Sequence, residues 1–188
     1  MIRQILIFGT IAGLIVGSVL FGTGVTILHD MTPTIGMAIG YTSMLAAFSM
    51  IFIAIKRQRD IVQGGVIRFL PALGMGLGIT IVAGIFYVLA WEAVLAVTGF
   101  DFMAGYIEAD LAAMREAGAD AAAIARRSAE LNAMMAGYDN PLYRMPLTFT
   151  EIAPVGVVIS LIAALLLGPL RLFPIAHGRA PGEQGLPG

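Results

Sequence analysis

The sequence predicts an all-α fold: a polytopic membrane protein with four transmembrane helices and an extramembrane helical hairpin between helices 3 and 4. Composition is the first observation behind this. Only 12% of the 188 residues are charged and 59% are hydrophobic, whereas a typical soluble domain is about 25% charged. The second is that four stretches stay apolar for about 20 residues, the length that a helix needs to cross hydrocarbon. Helices are favoured over strands because backbone amides in lipid must be satisfied within their own segment.

The predicted spanning helices cover about residues 5–28, 33–55, 69–97 and 149–170 of a single membrane domain, residues 1–170. Residues 171–188 are predicted to form a flexible Pro/Gly-rich cytoplasmic tail. The first stretch could instead be a cleaved signal peptide, since Arg3 precedes it. A retained helix is favoured, because the stretch is longer than the roughly 7–15 apolar residues of a signal core and no A-x-A-like site ends it.

Lysine and arginine in short loops predict the orientation. The side with both termini and the loop between helices 2 and 3 collects seven cations and two acids, whereas the segment between helices 3 and 4 has four cations and seven acids. We therefore expect a bacterial inner (plasma) membrane protein with both termini cytoplasmic. The cations predicted to set this topology and to contact lipid head groups are Lys56, Arg57, Arg59 and Arg68. Asp60, among them, is expected to form a local ion pair.

The segment of about residues 101–138 is predicted to be a periplasmic hairpin of two amphipathic helices. Apolar residues recur at spacings of three and four in each half, as on one face of a helix. Gly118 supplies the turn, and Asp120 is a candidate N-cap for the second helix. The two apolar faces can pack on each other, or they can form a cap or a docking surface over the outer end of the bundle.

Glycines recur at every fourth position in three of the apolar stretches, and small residues at this spacing allow close approach of helices in lipid. They can serve packing within the chain, or, in the first helix, self-association. The predicted packing glycines are Gly9, Gly13, Gly17, Gly36, Gly40, Gly74 and Gly78.

Two acids, Glu92 and Glu151, lie within or beside the predicted spanning helices, and ionisable groups at membrane depth are candidates for function. Both fall near the outer ends of their helices, so a facing pair is possible, with Arg144 or His29 nearby. His29 and His177 are expected on opposite sides, so they cannot share a metal. We find no cysteine, no nucleophile–base pair, no carboxylate-rich metal motif and no phosphate loop. We therefore expect no enzyme activity, no cofactor, no metal and no nucleic-acid partner.

Two strings carry a family resemblance: GYTSMLAAFSMIFIAIKRQRD, followed by GGVIRF, and NPLYRMPLTFTEIAPVGVVISLIAALLL. They resemble a bacterial integral membrane protein family known as domain of unknown function 4199. The hairpin string DFMAGYIEADLAAMREAGAD fits as well, so the resemblance covers about residues 1–170. It implies a small four-helix membrane protein and no assigned activity. Together with Glu92, the candidate functional residues are Tyr41, Ser43, Asp60, Glu151 and Pro154.

Two hypotheses follow for the function. The first is a non-enzymatic accessory or scaffold protein that acts through helix association in the lipid bilayer, as a homo-oligomer or with a membrane-protein partner. The alternative is a small transporter or channel-like protein that uses Glu92 and Glu151. A membrane enzyme ranks third, since the sequence offers no catalytic constellation.

Overall fold

The computed structural model describes residues 1–26, 33–99, 101–170 and 172–173. The described residues are mostly helical and include no strand. A π-helical turn, Gln58–Val62, continues the second helix. His29, His177 and the tail beyond residue 173 lie outside the described residues. The helices are α1 (Ile2–Thr26), α2 (Pro33–Arg57), α3 (Phe69–Thr98), α4 (Asp101–Glu116), α5 (Ala121–Ala136) and α6 (Pro141–Leu167).

Four of these helices, α1, α2, α3 and α6, are long and apolar enough to cross a membrane. The first three begin and end within a few residues of the predicted bounds. The fourth begins at Pro141, well before the predicted residue 149. Asn140 caps it, since its side-chain oxygen accepts a hydrogen bond from the backbone N–H of Leu142 at 3.0 Å, and a proline in the first turn of a helix needs no hydrogen-bond acceptor for its nitrogen.

The four long helices form a bundle in the order α1–α3–α6–α2, in which α2 and α3 face each other across the centre. Half of the apolar window of α3 is buried, against about a third or less for the others. Phe48 and Ile51 of α2, Ile79 of α3 and Ile152 of α6 are fully buried in the core. The helix that the sequence makes apolar on every side is therefore the one that the bundle encloses most.

The outside of the bundle is apolar as well. Leu14 on α1, Leu45 on α2, Leu89 on α3 and Val158 on α6 are each more than half exposed. A soluble bundle places polar residues on this face. Apolar side chains both inside and outside are typical of helices that are solvated by lipid.

The glycines of α1 pack against α3. A Cβ added at Gly9 would lie 2.6 Å from the Cβ of Val82, and one at Gly13 would lie 2.6 Å from the Cβ of Phe86. Gly17 faces Ala90 in the same way, at 3.3 Å. In the structure, α3 of the same chain therefore covers the glycine face of α1 on which self-association was considered.

The other predicted packing glycines fall into two groups, packed and open. Gly78 packs against Ile5 of α1, where an added Cβ would lie 3.0 Å from a side-chain carbon. At Gly36, Gly40 and Gly74 an added Cβ would meet nothing within 4 Å. The prediction is wrong for these three as packing sites within the chain, because their faces of α2 and α3 point away from the neighbouring helices.

A second close contact joins α3 and α6 in the middle of the bundle. A Cβ at Gly76 would lie 2.7 Å from the Cβ of Ser160, and a Cβ at Gly156 would overlap the side chain of Thr80. The two hydroxyls lie 3.4 Å apart. Each donates to the carbonyl of the residue four positions earlier in its own helix. Small residues on both helices thus allow backbone-to-side-chain contact along this seam.

Helices α4 and α5 contact each other. The turn between them contains Gly118 at φ 77°, a left-handed conformation that glycine adopts without strain. Asp120 caps α5 by accepting the N–H of Ala123 at 2.7 Å, as predicted. Leu131 is buried, and Arg127 of α5 donates to Asp110 of α4 at 2.9 Å.

Candidate functional site

A charged layer lies where the C-terminal part of α3 meets the start of α6. Arg144 binds Glu92 with two nitrogens: Nε to Oε1 at 2.7 Å and Nη2 to Oε2 at 2.5 Å. Its Nη1 donates to the backbone carbonyls of Tyr138 and Asp139, each at 3.2 Å. Paired, bidentate bonds of this kind are the strong form of an ion pair. Arg144 therefore ties α3, α6 and the α5–α6 connection together.

An aromatic contact supports the same layer. The indole Nε1 of Trp91 donates to the phenol oxygen of Tyr138 at 2.7 Å, and Tyr138 packs with Leu95 and Leu147. Burial raises the pKa of the Tyr138 phenol, and the hydrogen bond from Trp91 partly opposes this by stabilising the phenolate. Tyr138 therefore stays a neutral hydroxyl that accepts from Trp91.

Glu151 sits apart from this layer. Its Oε2 accepts a hydrogen bond from the hydroxyl of Tyr87 on α3 at 3.1 Å. Tyr87 is buried, but Glu151 is exposed on the surface of the isolated chain. The facing pair that was considered for Glu92 and Glu151 is thus replaced by two separate contacts, Glu92 with Arg144 and Glu151 with Tyr87.

Tyr41, Ser43 and Pro154 have different environments. Tyr41 is more than half exposed on α2. Ser43 is buried and donates to the carbonyl of Gly40 in its own helix at 2.7 Å. Pro154 lies inside α6 on its exposed side, where it provides no N–H for the carbonyl of Thr150.

The opposite end of the bundle has a second charged layer around Asp60. Its Oδ2 accepts from Lys56 Nζ at 2.7 Å, and its Oδ1 accepts from Arg59 Nε at 2.6 Å. The expected local ion pair is therefore present. Arg57 and Arg68 are exposed at this end, whereas Lys56 is only half-buried.

Arg59 does not lie where the head-group prediction puts it. The residue is 2% exposed, so it cannot contact lipid head groups in this position. Its Nη1 and Nη2 donate to the carbonyls of Leu172 and Phe173, at 3.1 and 3.2 Å. Phe173 also packs edge-on against Phe52 of α2. The burial of Arg59 follows from these bonds, which fix the chain after α6 to the end of α2.

The two charged layers have the same arrangement. In each, an arginine binds one carboxylate and two backbone carbonyls of residues that follow the end of a helix. Sequence reasoning considered Arg144 near the glutamates but missed the roles of Tyr87 and Tyr138. It also missed the seam between α3 and α6. The available signal was the spacing of four between small residues, Gly76 with Thr80 and Gly156 with Ser160.

These features define an all-helical protein with four helices that are long and apolar enough to span a membrane, held at each end by a buried arginine. This architecture is consistent with a multi-pass membrane protein. The chain belongs to the family described as "Protein of unknown function (DUF4199)", whose family model matches residues 7–168. The resemblance noted in the sequence is therefore confirmed. No curated protein and no solved structure matches the chain.

Proposed function

We propose that the chain is a multi-pass protein of a bacterial inner membrane, with both termini in the cytoplasm and the α4–α5 hairpin in the periplasm. The spacing of polar and charged residues along α3 supports a position across the membrane. At about 1.5 Å per residue, Tyr87 lies roughly 28 Å along α3 from Arg68, and Glu92 about 36 Å. The hydrocarbon core is about 30 Å thick. With Arg68 at the inner boundary, the Glu92–Arg144 pair falls in the outer head-group layer, beyond the hydrocarbon.

The orientation rests on the exposed cations Arg57 and Arg68 at one end and on the excess of acids in the segment at the other. Two exposed turn glycines suit a reporter fusion that is active only in the periplasm. We expect activity from a fusion at Gly118 and none from a fusion at Gly64. The reverse pattern would place both termini outside and would refute the orientation.

Within this topology the protein acts as a non-enzymatic accessory or scaffold protein, through helix association. This proposal rests on the structural role of Arg144 and Glu92. Their four hydrogen bonds hold three segments of the chain together, which is a structural use of charge. A transport site would need such groups to exchange partners with water or with a ligand.

Two surfaces are available for association. The outer half of α2 exposes Met37 and Tyr41 beside the open glycines Gly36 and Gly40. A helix of a second chain can approach such glycines closely. In the hairpin, the second surface is the exposed side of α5, which holds a strongly exposed i,i+4 pair of opposite charge, Arg126 and Glu130.

The chain has no cysteine, so single-cysteine variants report one position each. We would place a cysteine at Met37 on α2 and, separately, at Ala129 on α5, and treat native membranes with a bifunctional thiol-and-amine crosslinker. The matched control is a cysteine at Leu14, which lies on α1 and is exposed to a similar extent as Met37. Association predicts a discrete adduct from at least one of the two positions and none from Leu14.

A second substitution tests whether such an adduct reflects helix association. Gly40→Leu adds a large side chain to an open face, so it should leave the fold intact and abolish a Met37 adduct. If neither Met37 nor Ala129 gives an adduct beyond that of the Leu14 control, the association function is wrong.

The alternative, a small transporter that uses Glu92 and Glu151, is less well supported because Arg144 holds Glu92. The transporter hypothesis predicts a flux of protons or cations into proteoliposomes that contain the purified protein. Glu92→Gln and Glu151→Gln should both reduce that flux. Flux that neither substitution changes would exclude this version of transport.

A further inference from the structure

Two residues that come shortly after α6, Leu172 and Phe173, contact the end of α2, and we call this pair the strap. Nη1 and Nη2 of Arg59 donate to the carbonyls of Leu172 and Phe173 at 3.1 and 3.2 Å. With the strap in place Arg59 is 2% exposed, whereas Leu172 and Phe173 are themselves 47% and 51% exposed. The strap therefore helps to bury a cation while its own side chains stay half exposed.

The strap is held in a strained conformation. The backbone of Phe173 has a φ of 73°, in the left-handed region that a bulky side chain seldom adopts and that costs free energy. Its ring packs edge-on against Phe52, with 5.0 Å between the ring centroids, and the N–H of Leu172 donates to the carbonyl of Leu166 at 2.9 Å. A half-exposed segment that contains a strained residue has the properties of a segment that opens locally.

Arg59 is oriented from the other side by a carboxylate. Its Nε donates to Oδ1 of Asp60 at 2.6 Å, and Oδ2 of Asp60 accepts from Lys56 Nζ at 2.7 Å. The Asp60 side chain is 3% exposed, so the guanidinium is fixed within the protein and not by solvent. Opening of the strap therefore exposes Nη1 and Nη2 of Arg59 in an orientation that Asp60 already sets.

The strap carbonyls are neutral partners for these two nitrogens. An arginine bound to an anionic oxygen makes shorter bonds, about 2.7–2.9 Å, which are about twice as strong as bonds between neutral groups. The planar guanidinium also matches two oxygens of one phosphate group. Arg57 and Arg68 are exposed at the same end of the bundle, and their charge attracts anions to it. A phosphate group therefore suits the position that the two carbonyls occupy.

We propose that the strap opens and that Arg59 then binds a phosphate group. Nη1 and Nη2 exchange the two carbonyls for two phosphate oxygens, while Nε keeps its bond to Asp60. The phosphate is either a free ion or the head group of an anionic phospholipid. The site is independent of the association function and of the orientation in the membrane, since it needs neither a second protein nor a particular leaflet.

The test measures how often the strap of the full chain is open. Arg171 directly precedes the strap in the sequence, so trypsin cleavage after it removes residues 172–188, which intact mass reports. Cleavage after the strongly exposed Arg126 of the hairpin is the internal reference for trypsin itself. In a neutral detergent, sodium phosphate is compared with sodium chloride at equal ionic strength. In nanodiscs, phosphatidylglycerol is compared with phosphatidylcholine.

The expected result is faster cleavage after Arg171 relative to the reference. A ligand that binds only the open form, at about ten times its dissociation constant, raises the open population about tenfold. The cleavage rate should rise by the same factor when opening is fast relative to cleavage. Phe52→Leu removes the ring contact of Phe173 but leaves Arg59, so it should raise the basal rate and keep the response to phosphate.

Three substitutions assign the response to Arg59. Arg59→Met should be cleaved rapidly with or without phosphate, because it makes neither set of bonds. Arg59→Lys keeps the charge but not the paired terminal nitrogens, and it should lose most of the response even if Arg59→Met does not fold. The matched control is Arg57→Met, which removes an exposed cation two positions away and should respond as the wild-type protein does.

The two arms separate the sources of the phosphate. Acceleration by sodium phosphate identifies a site for the free ion, and acceleration in phosphatidylglycerol without a response to the free ion identifies a lipid head-group site. The proposal is wrong if neither arm accelerates cleavage, or if Arg59→Lys responds as much as the wild-type protein. It is also wrong if Arg57→Met abolishes the response, because the effect then belongs to surface charge. Crosslinking at Met37 or Ala129 is unaffected by any of these results.

Discussion

Gly13 and Gly40 each belong to a four-residue glycine spacing that looks alike in the sequence, but the fold uses only one of them. A Cβ at Gly13 would lie 2.6 Å from the Cβ and 2.8 Å from the Cγ of Phe86. Both atoms are fixed close to the backbone of α3, so the ring cannot turn away. Since ordinary carbon contacts begin near 3.5 Å, α1 and α3 would have to separate by about 1 Å.

The substitution to compare is therefore alanine at each position. Overpacking of this kind costs about 1–3 kcal/mol, and at Gly13 the better helix propensity of alanine returns up to about 1 kcal/mol. At Gly40, where nothing lies within 4 Å, only the propensity gain remains. We expect Gly40→Ala to be more stable than Gly13→Ala by about 2 kcal/mol. This corresponds to roughly 4–8 °C in the unfolding midpoint.

The assay is reversible unfolding in mixed micelles with increasing sodium dodecyl sulfate, followed by helical circular dichroism. Gly17→Ala provides an intermediate case, because its Cβ would lie 3.3 Å from that of Ala90, a distance that a small shift relieves. The expected order of stability is Gly40→Ala, then Gly17→Ala, then Gly13→Ala. Equal stabilities, or a reversed order, would refute the packing of α1 on α3.

Three further predictions concern the charged layers. Arg144→Met should lower the free energy of unfolding by about 3 kcal/mol because it leaves Glu92 without its counter-charge. In a double-mutant cycle, the variant with both Arg144→Met and Glu92→Met should lose less free energy of unfolding than the two single variants lose in sum. Tyr138→Phe should cost about 1 kcal/mol through the lost hydrogen bond. Burial raises the pKa of Tyr138 in the folded state. The stability that Tyr138 contributes is therefore complete below the unfolded pKa of about 10 and is lost as pH rises above it. The wild-type protein should lose stability in alkaline solution more steeply than Tyr138→Phe. Arg59→Met should leave Asp60 with Lys56 alone and release the chain after α6, measured as faster proteolysis beyond residue 170; unchanged proteolysis would contradict that anchoring role.

Much of the architecture was predictable because it depends on composition over long windows. A run of about 20 apolar residues is a helix in lipid whatever its neighbours do, so the four long helices appear close to their predicted positions. Local chemistry is equally direct: Asp120 caps α5 and Gly118 makes the turn before it. The early start of α6 at Pro141 was missed because Pro146 indicates a helix boundary in the sequence, whereas in the structure it lies inside α6.

The candidate site was predictable only in part. Glu92 and Glu151 stand out in the sequence because they are acids in apolar surroundings, and Asp60 because it lies among cations. Which of them has a partner depends on contacts between residues far apart in the chain, such as Glu92 with Arg144 and Glu151 with Tyr87. No short-range pattern contains that information.

The sequence by itself determined that the chain is helical, that four helices are apolar enough to cross a membrane, and where its cations cluster, because each of these properties belongs to a segment. Tertiary structure alone decided that Gly13 is packed and Gly40 is open, and that Arg59 is buried although Arg57, two positions earlier, is exposed. The reason is rotational: residues a few positions apart face different directions around a helix, and only the packing of the other helices decides which direction is the inside.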